Sequence, residues 1–182
     1  MAYNGLGCEK NIKIAYALFE KAASSGHSLA QNNLGMICIG GEYFQKDFLK
    51  AKFWFEKAAK QGLPEAQHNI ANRYLNGEGV KKNLGLAIQW FTKAAKQDLP
   101  GSQYNLGYLY DKGDKAVKNV QKAIYWYDKA AKNRIINAQF MLAQLYEKQG
   151  NTQDIINAYA WYSIASKLGD KDAGVLKRKI VS

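Results

Sequence analysis

Read at intervals of 36 residues, this chain aligns with itself. Gln31, Gln67, Gln103 and Gln139 are each 36 residues apart; Trp54, Trp90 and Trp126 keep the same step, and Trp161 follows after 35. The same segment returns around the tryptophans: Ala51-x-x-Trp54-Phe55-Glu56-Lys57-Ala58-Ala59, then Ala87-x-x-Trp90-Phe91-x-Lys93-Ala94-Ala95, then Ala123-x-x-Trp126-Tyr127-Asp128-Lys129-Ala130-Ala131. A period of this length is the signature of stacked structural units. A single unit cannot bury its own apolar face, so the chain is predicted to be all-α, an extended array of 36-residue helix-turn-helix repeats that offers surface for binding.

Two helices fit into each unit. The first is predicted near Leu29 to Ile39, Glu65 to Leu75, Gly101 to Asp111 and Asn137 to Glu147, where Ala30, Leu34 and Cys38, like Ala66, Ile70 and Tyr74, form one apolar stripe. Gly35, Ala71, Gly107 and Ala143 follow the large apolar residue, and small side chains there let a neighbouring helix come close. The second is predicted near Asp47 to Lys60, Asn83 to Lys96, Asn119 to Lys132 and Asp154 to Lys167. Ala51, Trp54, Phe55 and Ala58 make its buried stripe, and Glu56 with Lys60 or Asp128 with Lys132 are pairs on its side. Gly26, Gly62 and Gly169 suit left-handed C-terminal caps, with Pro64 and Pro100 soon after in two units. Asp98 and Arg134 hold the corresponding positions in the other two, where a differently made cap is expected.

The array divides into a partial first repeat over 1–28, repeats over 29–64, 65–100, 101–136 and 137–169, and a capping helix over 170–182 that turns basic at Lys177-Arg178-Lys179. Tyr3-Asn4-Gly5-Leu6-Gly7 is in register with Leu75-Asn76-Gly77-Glu78-Gly79, so the sequence reads as opening inside a repeat, as a piece of a longer protein would. The first unit keeps only its second helix, around Asn11 to Ser24, which is expected to leave Ala15, Leu18, Phe19 and Ala22 as a patch for an upstream unit, another copy or a ligand.

Composition narrows the partners. The net charge is +11, yet only three of the 26 cations are arginine (Arg73, Arg134, Arg178). Lysine gives a diffuse field without the guanidinium fork that grips phosphates and guanine edges, which argues against a nucleic-acid reader. The two cysteines, Cys8 and Cys38, stand at different repeat phases, so no disulfide ladder and no oxidising compartment is implied. No apolar run approaches a membrane span, no signal peptide is evident, and the compartment stays open among bacterial cytoplasm, periplasm and exterior.

The quoted pattern, Ala-x-x-x-Leu-Gly-x-x-Tyr, then Gly77-Glu78-Gly79-Val80, then Lys-Ala-x-x-Trp-Phe-x-Lys-Ala-Ala-x-x-Gly, resembles the Sel-one-like repeat (SLR), a branch of the tetratricopeptide-like α/α repeats. The resemblance covers Tyr3 to about Gly169 and departs in three turns, Gly-Gly-Glu-Tyr after Ile39, Lys-Gly-Asp-Lys after Asp111 and Gln-Gly-Asn-Thr in the last unit. It implies a right-handed superhelical α/α solenoid with first helices on a concave face, and an adaptor role in assembling protein complexes, bacterial, at the envelope or in contact with a host. A cysteine-rich branch is associated with binding or hydrolysing β-lactams; its paired cysteines are missing here and that activity is not carried over.

If first helices line the groove, its walls are Asn32, Asn33 and Met36, then His68, Asn69 and Asn72, then Tyr104, Asn105 and Tyr108, then Phe140, Met141 and Gln144. Asn33, Asn69 and Asn105 form a row of amides that either grips the backbone of a peptide or ties helices together. Tyr104, Tyr108, Phe140 and Met141 suit an anchor residue of the partner. Lys21, Lys57, Lys93 and Lys129 share one phase of the second helices, and Lys60, Lys96 and Lys132 another, either as a solvated face or as a basic ridge for an acidic protein or an anionic membrane. No metal set, cofactor motif or catalytic set emerges, and His68 is read as a polar groove residue rather than a base. The expected function is a scaffold binding a protein or peptide in its groove. The alternatives are an immunity or inhibitor protein for a toxic enzyme and a β-lactam or peptidoglycan hydrolase.

Overall fold

The computed structural model describes residues 12–41, 45–115 and 117–180; the register of Tyr3 to Gly7, Cys8, the turn residues Glu42 and Tyr43, and Val181 lie outside it. Among the described residues there are ten helices and no strand. The chain falls into two compact units, Met1–Gln97 and Asp98–Ser182. The first contains α1 (Ile12–Ser24), α2 (Ser28–Gly40), α3 (Phe48–Lys60), α4 (Pro64–Asn76) and α5 (Leu84–Ala95), each packed on the next. The second contains α6 (Pro100–Lys112), α7 (Val120–Lys132), α8 (Ile136–Gln149), α9 (Thr152–Lys167) and α10 (Lys171–Ile180), again in consecutive contact. The even-numbered helices up to α8 are the first helices of their repeats, and the odd-numbered ones are the second helices.

The stripes lie where the periodicity puts them. Ala51, Trp54, Phe55 and Ala58 are all buried, as are Ala30, Leu34 and Cys38. Phe55, Phe91, Tyr127 and Tyr162, the aromatic residues at one repeat phase, are fully enclosed. Close approach is why a glycine faces two of them: a Cβ on Gly35 would stand 2.5 Å from Phe55 Cε1, and one on Gly107 2.5 Å from Tyr127 Cδ1. The side pairs form, Glu56 with Lys60 at 3.1 Å and Asp128 with Lys132 at 2.6 Å, with lysines too exposed for either to contribute much. In the patch expected on α1, Leu18 is 60% exposed but Ala15 is buried.

Helices α3, α5, α7 and α9 each start on an Asx cap. The side chains of Asp47, Asn83, Asn119 and Asn151 accept from the backbone N–H of Lys50, Leu86, Lys122 and Asp154, satisfying a donor the helix cannot. The ends of these helices correct one expectation. Asp98 and Arg134 do not make a different cap: they take φ of 58° and 62°, the left-handed conformation that Gly26, Gly62 and Gly169 adopt. Arg134 N–H donates to Ala131 at 3.0 Å and Ile135 N–H to Ala130 at 3.1 Å, matching Gly62 N–H to Ala59 at 3.0 Å and Leu63 N–H to Ala58 at 3.3 Å. At Arg134 these hydrogen bonds and the packing of α8 on α7 hold the turn in a conformation that costs a non-glycine residue roughly 1–2 kcal/mol.

The glutamines that mark the period are buried ties between repeats. Gln31, Gln67 and Gln139 each donate from Nε2 to the carbonyl of the preceding second helix, at Ala23 (3.1 Å), Ala59 (3.3 Å) and Ala131 (3.1 Å). Their acceptor side is filled from the next turn: Gln61 donates to Gln31 at 2.8 Å, Gln97 to Gln67 at 2.9 Å and Asn133 to Gln103 at 3.0 Å. In the last repeat the donor's place, one before the cap, belongs to Leu168, and Gln139 Oε1 is buried without a hydrogen bond. Leu168→Gln is expected to complete the tie and stabilise the second unit by about 1 kcal/mol, a net hydrogen bond, read as a higher urea midpoint at unchanged slope. A midpoint that stays or falls refutes it.

Candidate functional site

The first helices carry the residues proposed to meet a partner, and the two units present them differently. In the first unit Asn32 is buried, Asn33, His68, Asn69 and Asn72 are half-buried, and Met36 is exposed. Asn69 Nδ2 donates to Asn32 Oδ1 at 2.9 Å and lies 3.6 Å from Met36 Sδ, so these three side chains meet across α2 and α4. Asn32 is thus engaged in tying helices, and the amide that Asn69 meets is Asn32 rather than Asn33 of the expected row. The His68 ring stands edge-on to Phe91, 5.3 Å between centroids, and burial holds its pKa below the ordinary histidine value. A ring kept neutral by burial against an aromatic side chain is a packing element.

In the second unit the equivalent positions are aromatic. Tyr104 and Asn105 are half-buried on α6 and Tyr108 is exposed; Phe140, Met141 and Gln144 are half-buried on α8. Tyr104 leans on Tyr127 at 5.9 Å and Phe140 on Tyr162 at 5.7 Å, so the fully enclosed aromatics hold the outer ones in place. Burial first, then Tyr108, raises the Tyr104 hydroxyl, against a lowering hydrogen bond with Asn137. Gln144, Glu147 and Lys148 of α8 with Leu176 of α10 line a depression of about 350 Å³.

Sequence reasoning passed over a third arrangement, on the second helices. Lys57 Nζ lies 4.6 Å from the centre of the Phe53 ring, Lys93 Nζ 4.2 Å from Trp90 and Lys129 Nζ 5.6 Å from Tyr125. Phe53 and Tyr125 are themselves half-exposed, so the lysine row sits on aromatic faces instead of standing free in water. An aromatic residue three or four before each lysine was the available signal. Among the described residues no group of three or more His, Cys, Asp or Glu side chains can hold a metal ion, and no helix is long and apolar enough to cross a membrane.

Five stretches of the sequence, residues 1–27, 28–63, 64–99, 100–134 and 136–170, match the model of the Sel1 repeat. The chain belongs to the Sel1 repeat family. None of the curated proteins compared by sequence matches it. Among solved structures, a protective antigen of uropathogenic Escherichia coli strains displaying an SLR fold is similar at 32% identity and a TM-score of 0.87, over 95% of this chain and 37% of the antigen. This Sel1 repeat chain therefore spans little more than a third of that protein's length. A Sel1 repeat protein from Oxalobacter formigenes is similar at 32% identity and a TM-score of 0.84, over 95% of this chain and 71% of the other. An immunity protein from Pseudomonas aeruginosa shares the fold at 22% identity and a TM-score of 0.53, over 87% of this chain and 59% of its own. The Sel1 repeat family supports a protein-interaction scaffold as the broad role.

Proposed function

We propose that this Sel1 repeat chain is an adaptor that holds a protein or peptide partner on the first-helix face of its second unit. The observation that carries the reading is that repeat positions held by amides in the first unit are aromatic in the second. Tyr108 is 47% exposed on α6 with Tyr104 beneath it, Phe140 and Met141 follow on α8, and the depression at Gln144 adjoins them in sequence. Tyrosine and phenylalanine braced from behind lose little freedom on binding and bury a large area, the properties of interface anchors. With a net charge of +11, an acidic partner is favoured over a basic one.

The test is affinity capture from lysate of the native cell with mass-spectrometric identification, repeated with Tyr108→Ala combined with Gln144→Ala. Neither side chain belongs to the enclosed core, so melting and helicity are expected to stay put while retention of the partner falls by roughly tenfold or more. Equal retention by the double variant removes this face from the account.

A second reading, an immunity or inhibitor protein for a toxic enzyme, draws support from the lysines seated on Phe53, Trp90 and Tyr125 and from the fold shared with the Pseudomonas immunity protein. It places the contact on second helices. Its expected mark is an association rate that drops steeply with added salt and with Lys129→Gln, whereas an anchor-driven complex shows its losses in dissociation.

A further inference from the structure

One repeat lacks a side chain that its counterparts have, and the space left is open. Cys38 occupies the position held by Tyr74, Tyr110 and Tyr146 in the other repeats. The hydrogen bond that closes the following turn is the same: Asp47 N–H donates to Cys38 O at 2.9 Å, as Asn83 N–H does to Tyr74 O and Asn119 N–H to Tyr110 O, both at 2.8 Å. In place of the ring is a cavity of about 230 Å³ lined, among the described residues, by Tyr16, Ile37, Cys38, Gln45, Asp47 and Lys50. An apolar cavity of about 150 Å³ already takes a benzene ring, so a phenol fits.

The repeat also supplies a template for the occupant. Lys122 Nζ lies 5.2 Å from the centre of the Tyr110 ring. Lys50 precedes Lys122 by the interval that separates Cys38 from Tyr110, so it stands where a ring in the cavity would find the same ammonium. Lys50 Nζ now donates to Tyr16 Oη at 2.6 Å and lies 5.3 Å from that ring. Ile37 and Cys38 are buried and give the cavity an apolar floor, while Gln45, Asp47 and Lys50 are exposed and form a polar mouth suited to a hydroxyl.

We propose that this cavity between α1, α2 and α3 receives one tyrosine side chain from an acidic segment of a partner protein, completing the repeat as Tyr110 completes its own. The acidic context follows from the net charge of +11; at this end Lys46 and Lys50 are exposed, with Asp47 and Glu20 as the neighbouring carboxylates. The site lies outside the first-helix face considered above and stands or falls without it.

The experiment uses the full chain and two kinds of probe, para-fluorophenol followed by fluorine NMR, and a short peptide of one tyrosine flanked by glutamates with its alanine counterpart. Wild type is expected to bind the phenol and to bind the tyrosine peptide roughly tenfold or more tightly than the alanine one. Cys38→Tyr fills the cavity and is expected to abolish both; Lys50→Gln, which keeps the volume, is expected to weaken both several-fold. A labelling arm guards against a variant that fails to fold: in a Cys8→Ser background, saturating tyrosine peptide is expected to slow modification of Cys38 by a neutral thiol reagent. Binding unchanged by Cys38→Tyr, no binding by wild type, or unprotected Cys38 overturns the site. Phenol binding with no preference between the peptides overturns the partner segment.

Discussion

Phe55→Ala is expected to destabilise the first unit by about 3–5 kcal/mol, the range for removing an enclosed aromatic side chain that its surroundings cannot refill. Phe55 is 0% exposed and packs among Cys38, Ala51, Ala58, Ala59, Ala66 and Ile70. Four of these six neighbours are alanines, whose short side chains have no rotamer to swing into the vacated volume, so the cavity term stays near its maximum. In arrays of repeats, stability is a sum of unit and nearest-neighbour terms, so the lesion is expected to act locally. Hydrogen exchange checks both statements: amides of α2 to α4 should lose protection while those of α8 and α9 keep it. Uniform loss along the chain, or a shift in urea midpoint worth less than about 1 kcal/mol, contradicts the account. Phe55→Leu should recover part of the loss, because leucine refills part of the vacated volume.

The features that were legible in the sequence are those produced by short-range geometry. Trp54, Phe55 and Ala58 disclose a helix face because a helix turns every few residues, and Gly62 followed by Pro64 discloses its end. Partners that are set by stacking leave no such trace. Gln67 is conspicuous as a period marker, but its buried tie to Ala59 and Gln97 joins residues 8 and 30 positions away. The side chain of Gln97, in turn, resembles any surface glutamine until the next repeat is laid beside it. Asp98 and Arg134 mislead because local preference argues against a left-handed residue that is neither glycine nor asparagine, yet both take that φ, Arg134 within the same cap hydrogen bonds as Gly62. On the first-helix face, Asn32 and Asn33 are neighbours of the same type that point about 100° apart, and helix packing decides which one Asn69 meets. Cys38 was legible as a core thiol in a tyrosine's position; the cavity it leaves depends on Tyr16 and Lys50 from two other helices.

Gly79→Ala is expected to cost about 2–5 kcal/mol, and Gly77→Ala, two residues earlier in the same turn, only about 1–2. Both glycines are left-handed, with φ of 79° at Gly77 and 71° at Gly79, so the conformational penalty is shared. The difference lies in what a Cβ meets. At Gly77 the nearest atom is Lys82 Cβ at 3.4 Å, an ordinary contact, whereas at Gly79 the Cβ would run into the Phe48 carbonyl at the start of α3. That obstacle is backbone, held by the first turn of a capped helix, and cannot rotate away. Around it Arg73 pairs with Glu78 at 2.8 Å and lies 5.7 Å from the Phe48 ring, which pins the turn between α4 and α5 against the preceding repeat. The glycine-rich turn is therefore an inter-repeat contact rather than a ligand cradle, and its sequence departs in the repeat after Asp111, where Gly113 takes an ordinary φ of −68°. Denaturant midpoints of the two alanine variants check the assignment. Equal losses would leave only the φ penalty and remove the Phe48 contact; a larger loss at Gly79 means that the repeats of the first unit are locked together at this turn as well as through their buried glutamines.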